Sequence, residues 1–286
     1  MKPKPFIKWA GGKQGLCDRL VGLFPRKYSR YFEPFIGGGS VFFALTPKRA
    51  VIGDLNFWLV DTYEAIRDNW KAVADALDML PNTREDFLRL RKVDPESLPL
   101  VQRAAHFIYL NKTCFRGLFR VNRSNEFNVP YGEYQRRYYD SANLAAASNT
   151  LKQTEIRRID FENCLKGVKK DDFVYLDPPY YKLGGYSDFN RYTRFQFRES
   201  DHVRLAALCR QLDEREVKWA VSNSNTAFIR SLFEGFRLNE ITNRREINLK
   251  SQDRNIVELL ITNYSLPKQD LFPVDEDEDA VVGSKA

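Results

Sequence analysis

Metal-ligating residues are scarce in this chain. Its 286 residues hold two histidines, His106 and His202, and four widely spaced cysteines, Cys17, Cys114, Cys164 and Cys209, with no C-x-x-C. That pattern argues against a zinc site or a disulfide framework and reads as four buried or bystander thiols. No apolar run reaches the length of a membrane helix, and the first residues lack a signal-peptide core, so a cytoplasmic protein with no membrane partner is expected. The phosphate-loop pattern G-x-x-x-x-G-K-[ST] is absent, and the dinucleotide fingerprint G-x-G-x-x-G fails at Phe42. A pyrophosphate is therefore not the obvious guest. Acidic charge is also in the minority, with 38 Asp+Glu against 45 Lys+Arg and a net charge of +7. Five of those acids form the unbroken run 275–279, and without residues 275–286 the body carries +11. Such a surplus is the footprint of a nucleic-acid binder, and the acidic end reads as a solvated, disordered tail.

What is present starts with ordinary material for a core: 43% of residues are hydrophobic, in a length that suits one large domain or a domain with an insertion. The most informative stretch is Asp177-Pro178-Pro179-Tyr180, which ends the apolar run 173–176. The run reads as a buried strand, and two prolines stop it abruptly. A carboxylate at the carboxyl end of such a strand sits where α/β sheets bind ligands. The prolines leave carbonyls without competing N–H groups. Asp177 and the Pro178 carbonyl offer acceptors to an amine and Tyr180 offers a flat face, so the turn suits a planar aromatic amine.

Earlier in the chain, residues 31–35 lead into Gly37-Gly38-Gly39-Ser40 and a short helix, the strand–turn–helix opening of a doubly wound sheet. The next strand, 50–54, ends on Asp54, about 20 residues on, the offset at which a carboxylate accepts ribose hydroxyls. Lys13 follows Gly11-Gly12 near the start of a helix over 14–24, a place for a carboxylate ligand. Helical spacing covers 56–80, 84–92, 99–112 and 141–151, whereas 111–139 shows no clean period. Between Arg103 and Tyr139 there are seven Lys/Arg, two Glu and nine Phe/Tyr. Interleaved cations and aromatics suit phosphate contact with stacking or wedging between bases, and equally a loop that packs over its own rings. Strand patterns resume at 155–159, 173–176, 217–221, 236–241 and 255–264, the last two separated by a basic loop with Arg244, Arg245, Lys250 and Arg254.

Lys8-Trp9-Ala10-Gly11-Gly12-Lys13, the run 33–40 (EPFIGGGS), Asp54, Asp160-Phe161 and 177–180 (DPPY) occur in the order found in Dam-type DNA adenine-N6 methyltransferases. The run 111–122 (NKTCFRGLFRVN) and 126–131 (EFNVPY) resemble that family's target-recognition segment, and 257–260 (VELL) resembles its closing strand. The chain thus resembles the D12 class, alpha group, over about residues 6–264. The resemblance implies an α/β fold, a Rossmann-like S-adenosylmethionine-dependent methyltransferase sheet formed by 1–58 and 151–270. A mainly helical target-recognition domain, 59–150, is inserted, and 271–286 is the tail. It implies an enzyme with S-adenosylmethionine as cofactor, S-adenosylhomocysteine as product and no metal. Trp9, Lys13, Glu33, Phe35, Gly37, Gly39, Ser40, Asp54, Asp160, Phe161 and Asp177 are then cofactor contacts. The target adenine is flipped from double-stranded DNA, its N6 held by Asp177 and Pro178 and its ring stacked on Tyr180. Phe115 is the implied wedge, Leu118 a thymine-methyl contact, Arg120 and Lys8 guanine readers, with Arg116, Asn122 and Pro130 at the interface. GATC is the implied target. Arg116 departs from the family, which commonly carries Asn beside the wedge. A monomer in the bacterial nucleoid or a phage-infected cell, with a cognate restriction endonuclease as companion, completes the expectation.

The chemistry agrees with this assignment. An exocyclic purine amine is a poor nucleophile, and acceptors for both its hydrogens turn its lone pair toward a sulfonium methyl in line for displacement. Cytosine-C5 methylation is disfavoured, because that reaction uses a cysteine nucleophile that usually follows proline, and no cysteine here does. An RNA adenine methyltransferase and a catalytically silent DNA-binding protein on the same scaffold are the alternatives.

Overall fold

The computed structural model describes residues 1–11, 13, 15–122, 126–135, 137–181, 197–244 and 255–267, with backbone alone at 243, 244, 255 and 256. The basic loop with Arg245, Lys250 and Arg254 and the acidic tail 271–286 lie outside the described residues. Among the described residues seven strands form one sheet: β1 (Tyr31–Glu33), β2 (Ala50–Asp54), β3 (Thr154–Arg158), β4 (Phe173–Leu176), β5 (Lys218–Ser224), β6 (Arg237–Arg244) and β7 (Asn255–Thr262). Their order is β3-β2-β1-β4-β5-β7-β6. The first five strands run parallel, and β7 lies antiparallel between β5 and β6. From β1 the chain builds outward through β2 and β3, then returns to place β4 on the other side of β1. That reversal opens a crevice at the carboxyl ends of β1 and β4, the switch point where such sheets hold ligands.

Why β4 reads as an unbroken apolar run is visible in its packing. Phe173, Val174, Tyr175 and Leu176 are all fully buried because both faces of the sheet are covered. Successive side chains alternate. Tyr31, Ile52, Phe173 and Tyr175 enter one apolar cluster. Phe32, Val51, Val174 and Leu176 enter the other, with Leu205 of α8 (Glu199–Glu214) and Phe233 after α9 (Ala227–Leu232). The first cluster continues without a break from the sheet into the helical segment, through Tyr63, Phe87, Phe107, Phe119 and Phe127. Helices α1 (Cys17–Gly22) and α2 (Ser40–Leu45) flank β1, and α7 (Phe161–Cys164) follows β3. No described helix is long and apolar enough to cross a membrane.

The helical segment is built on α3 (Phe57–Asp78), α4 (Arg84–Leu90), α5 (Leu100–Thr113) and α6 (Ser141–Leu151). Asn56 caps α3 by accepting from the Trp58 N–H, and Asn69 interrupts the helix with φ −154° and then accepts from the Ala72 N–H. Asp61 on α3 pairs with Arg103 on α5, whose guanidinium also donates to the Pro95 and Leu98 carbonyls. His106 and His202 are core residues that burial keeps toward the neutral form. All four cysteines are buried thiols, as the sequence predicts.

The aperiodic stretch after α5 is a twisted hairpin. Phe115 N–H donates to the Pro130 carbonyl, Gly132 N–H to Thr113, Asn122 N–H to Glu126 and Asn128 N–H to Arg120, all at 2.8–3.0 Å. Regular pairing amounts to two isolated antiparallel bridges, Cys114–Tyr131 and Val121–Phe127. Pieces this short leave no period to read.

Phe173 ties the frame together, its ring lying against those of Phe24, Tyr28, Tyr31 and Tyr264 at 4.9–6.1 Å. Phe173→Ala should lower unfolding free energy by about 3–5 kcal/mol. A urea midpoint that does not move would mean that the surrounding rings close the cavity.

Candidate active site

The chain leaves the sheet at Asp177, because Pro178 and Pro179 cannot extend a ladder. The turn is then fastened to the end of β5. Asn223, fully buried, accepts from the Tyr181 and Ser224 N–H groups at 3.2 and 2.8 Å, and Ser224 Oγ donates to the Tyr181 carbonyl at 2.6 Å. Lys13 reaches the turn from the N-terminal loop. Its ammonium, with a side chain only 6% exposed, donates to Tyr180 Oη at 2.6 Å and lies 3.1 Å from Asp177 Oδ1. Glu258 of β7 stands behind them, accepting from Tyr180 Oη at 3.0 Å with its carboxylate 3.7 Å from Lys13 Nζ. Asp177 Oδ1 is buried and accepts no aligned hydrogen bond from the protein. The turn therefore keeps an acceptor open beside a rigid carbonyl and an anchored aromatic ring.

Burial pushes the Asp177 carboxyl above the usual carboxylate range, against the pull of Lys13 and with the added repulsion of Glu258. Burial likewise raises Glu33 well above that range, although Tyr31 Oη donates to it at 2.7 Å, and Asp177 adds to the rise. Two carboxylates thus crowd the carboxyl ends of β1 and β4.

The remaining residues with implied cofactor roles fall into two groups. Asp54 closes β2 and accepts from the Asn56 N–H at 2.9 Å through Oδ1 and from the Gly37 N–H at 3.3 Å through Oδ2. The Leu55 N–H adds a third donor, and a carboxylate with about four acceptor sites keeps room for one more. Gly37 has φ +47°, and a Cβ there would lie 2.8 Å from the Trp9 indole, so the close approach at this turn is made by Trp9. Gly39 and Ser40 open α2. Phe35 stacks on Phe161 at 5.3 Å, with Phe161 buried beneath it in the core. Asp160 caps α7 and pairs with Arg204 at 3.0 Å, away from the Asp177 cluster. Lys13 faces the Asp-Pro-Pro-Tyr turn, so its partners are carboxylates of the protein itself.

The implied DNA-contacting residues lie on the N-terminal loop and on the hairpin after α5. Gly117 has φ +67°, and a Cβ there would lie 2.5 Å from Lys8 Cδ, so the hairpin turn rests on the Lys8 stem. Phe115 and Leu118 project from that turn, 45% and 40% exposed. Arg116, between them, takes the left-handed conformation, φ +58°, with its guanidinium 5.3 Å from the Phe115 ring centre. Asn128 accepts from Arg120 Nε at 2.7 Å and, through its carbonyl, from Nη2 at 3.2 Å, fixing the guanidinium plane. Pro130 is exposed. Asn122 is engaged within the hairpin, donating to Glu126 Oε2 at 2.6 Å and accepting from the Glu126 N–H at 3.0 Å.

Three residues important to this geometry have no assigned role in the sequence reading. Asn111, fully buried, accepts from the Lys8 N–H and donates to the Lys8 carbonyl, both at 2.8 Å, and donates to the Gly117 carbonyl at 3.2 Å. It locks the N-terminal loop to the hairpin turn. Asn223 anchors the Asp-Pro-Pro-Tyr turn, and Glu258 anchors Tyr180. Glu258 is a lone polar side chain in an apolar run, a signal that a buried partner is required, whereas Asn111 and Asn223 have polar neighbours, Lys112 and Ser222 with Ser224, and carry no such signal.

Asp54 makes a prediction on stability. Burial raises its carboxyl from 3.8 to about 6 in the folded chain. The folded state therefore favours the protonated acid, and that contribution is full below about pH 4 and lost as pH rises through 6. Asp54→Asn should gain on the parent by on the order of 2–3 kcal/mol between pH 4 and pH 7 in urea unfolding. A difference independent of pH would mean that Asp54 ionises without penalty.

Residues 9–247 match the family model for the D12 class N6 adenine-specific DNA methyltransferases. The chain is 38% identical over 271 residues to the type II methyltransferase M1.LlaDCHI of Lactococcus lactis subsp. cremoris, covering 91% of this chain and 95% of that protein. It is 38% identical over 292 residues to the type II methyltransferase M.MjaIII of Methanocaldococcus jannaschii, covering 92% and 100%. To the DNA adenine methylase of Haemophilus influenzae it is 30% identical over 276 residues, covering 94% and 96%.

Proposed function

The chain belongs to the D12 class N6 adenine-specific DNA methyltransferases, and from that premise we propose that it flips an adenine out of duplex DNA and methylates N6, within GATC. The observation that carries the reading is the buried Asp177 carboxylate at the switch point beside the Pro178 carbonyl, held by Lys13 at 3.1 Å with lone pairs left for a further donor.

The family implies S-adenosylmethionine, and the residues present fit it. Asp54 accepts hydrogen bonds at the end of β2 where ribose hydroxyls would add theirs, Phe35 gives an apolar wall for a purine, and Glu33 and Asp177 are buried acids that a nearby cation would draw toward their ionised form. When bound, the cofactor supplies an electrophilic methyl group on a positively charged sulfur. The protein's part is positioning. Asp177 and the Pro178 carbonyl take the two amine hydrogens, directing the nitrogen lone pair at the methyl, while Tyr180 supports the base.

A paired adenine cannot reach this turn, and extrusion costs about a few kcal/mol. Phe115, exposed at the end of its turn, fills the vacated stack and offsets part of that cost. Arg120, held flat by Asn128, suits bidentate reading of guanine, worth about 1–3 kcal/mol of discrimination. Lys8 reads a second guanine and Leu118 meets a thymine methyl. In this reading residues 59–150 form the recognition unit. Similarity to type II methyltransferases favours a cognate restriction endonuclease as companion.

Transfer of labelled methyl to duplexes containing GATC, with GTTC duplexes and single-stranded RNA as controls, tests the reading. Label on the GATC adenine, lost in Asp177→Ala while duplex binding survives, is expected. Undiminished turnover in Asp177→Ala would sink the assigned site, and label on duplexes lacking GATC would discard the target sequence alone. Phe115→Ala should remove the fluorescence rise of 2-aminopurine at the target position. A rise equal to that of the parent would take the wedge role from Phe115.

A further inference from the structure

We propose that Glu258, on the antiparallel strand β7, is a positioning residue for methyl transfer, fixing the Tyr180 hydroxyl and sharing the Lys13 ammonium with Asp177. The inference rests on the reading of Asp177–Tyr180 as the methylation site.

Glu258 sits in an apolar strand, followed by fully buried Leu259, Leu260 and Ile261, and pairs in register with Ser224 on one side and Ile241 on the other. Its side chain is 10% exposed. A carboxylate so placed is costly unless it meets donors. Two of the donors it meets belong to the cluster at the active turn: Tyr180 Oη at 3.0 Å and Lys13 Nζ at 3.7 Å. Tyr180 Oη is thereby used in both senses, accepting from Lys13 at 2.6 Å and donating to Glu258. A phenol held at both its donor and its acceptor cannot swing, so the ring face it offers to a base is set by Glu258 and Lys13 together.

The same carboxylate acts on Asp177. Lys13 lies 3.1 Å from Asp177 and 3.7 Å from Glu258, so one ammonium is divided between two acids. The groups facing Asp177 are Lys13 from the N-terminal loop, Cys17 on α1, Glu33 on β1, Tyr175 on β4, Tyr180 in the turn and Glu258 on β7. Among them Glu258 disfavours ionisation of Asp177 and Lys13 favours it. Removing the charge of Glu258 therefore has two separable effects. Tyr180 loses its charged acceptor, and Asp177 ionises at lower pH.

The test uses the full chain and single-turnover methylation of the duplex it methylates. Glu258→Gln should slow the step on the order of tenfold or more and shift the acid limb of the rate–pH profile to lower pH. Tyr180→Phe supplies the cycle: if Glu258 works through the hydroxyl, Glu258→Gln adds little in that background. Full additivity with an unmoved acid limb would reduce Glu258 to a structural residue, and a parental rate would dismiss it. Should the Gln variant fail to fold, Glu258→Asp keeps the charge on a shorter stem. A slowed step with the limb in place is then expected, and an undiminished rate overturns the inference. Asp177→Ala run in parallel separates the failures. If it is inactive while Glu258→Gln is normal, only this inference falls; if it is active, the site itself is misassigned.

Discussion

An ammonium ion taken out of water must be surrounded by acceptors, and that requirement organises this molecule. Lys13 finds them in Asp177, Tyr180 and Glu258, which belong to the turn after β4 and to the strand inserted antiparallel at the far side of β5. None of these groups is stable there alone, since each would be a buried charge or hydroxyl without a counterpart. The N-terminal loop, the Asp-Pro-Pro-Tyr turn and β7 are held in register by that mutual need. The crevice at the β1–β4 switch point then takes its shape from the polar cluster as much as from the apolar sheet below.

A second polar device does the same work between the N-terminal loop and the hairpin turn. Asn111 binds the Lys8 peptide on both its N–H and its carbonyl and adds the Gly117 carbonyl. The loop that carries Lys8, Trp9 and Lys13 is thus continuous with the turn that carries Phe115 and Leu118. Trp9 reinforces the link, lying over Gly37 on one side and stacking on Phe119 at 5.1 Å on the other. The N-terminal loop, the glycine turn and the hairpin are parts of one packed body.

Much of this frame was legible in the sequence because its signals are local. The strands 50–54 and 173–176 follow from apolar runs ended by an acid, and the longer helices from their spacing, whereas β3 (TEIRR) and β6 (RLNEITNR) are largely polar at the two edges of the sheet. Dihedral detail was not: Asn69 breaks α3 inside an otherwise helical pattern, because a polar residue there can cap the helix that resumes. The hairpin at 113–132 escaped because its pairing is confined to isolated bridges. At the glycine turn 37–39, where the resemblance implies cofactor contacts, the nearest neighbours of a Cβ at Gly37 are indole atoms of Trp9, a contact between residues far apart in the chain. Glu258 was visible as an acid among apolar residues, but its partners Tyr180 and Lys13 follow only from the sheet order. Long-range pairing is what one sequence states least clearly.

The place of β7 in that order bears on synthesis. Lys13 and Tyr180 are 167 residues apart, and Glu258 comes 78 residues after Tyr180. A ribosome-bound chain that has emerged only through β6 has no β7 to fill the gap beside β5, and it lacks one of the three groups around the ammonium. Contacts of such separation form late, after the local helices have settled. The nascent polypeptide therefore cannot complete the polar cluster around Lys13 until its closing strand has been translated.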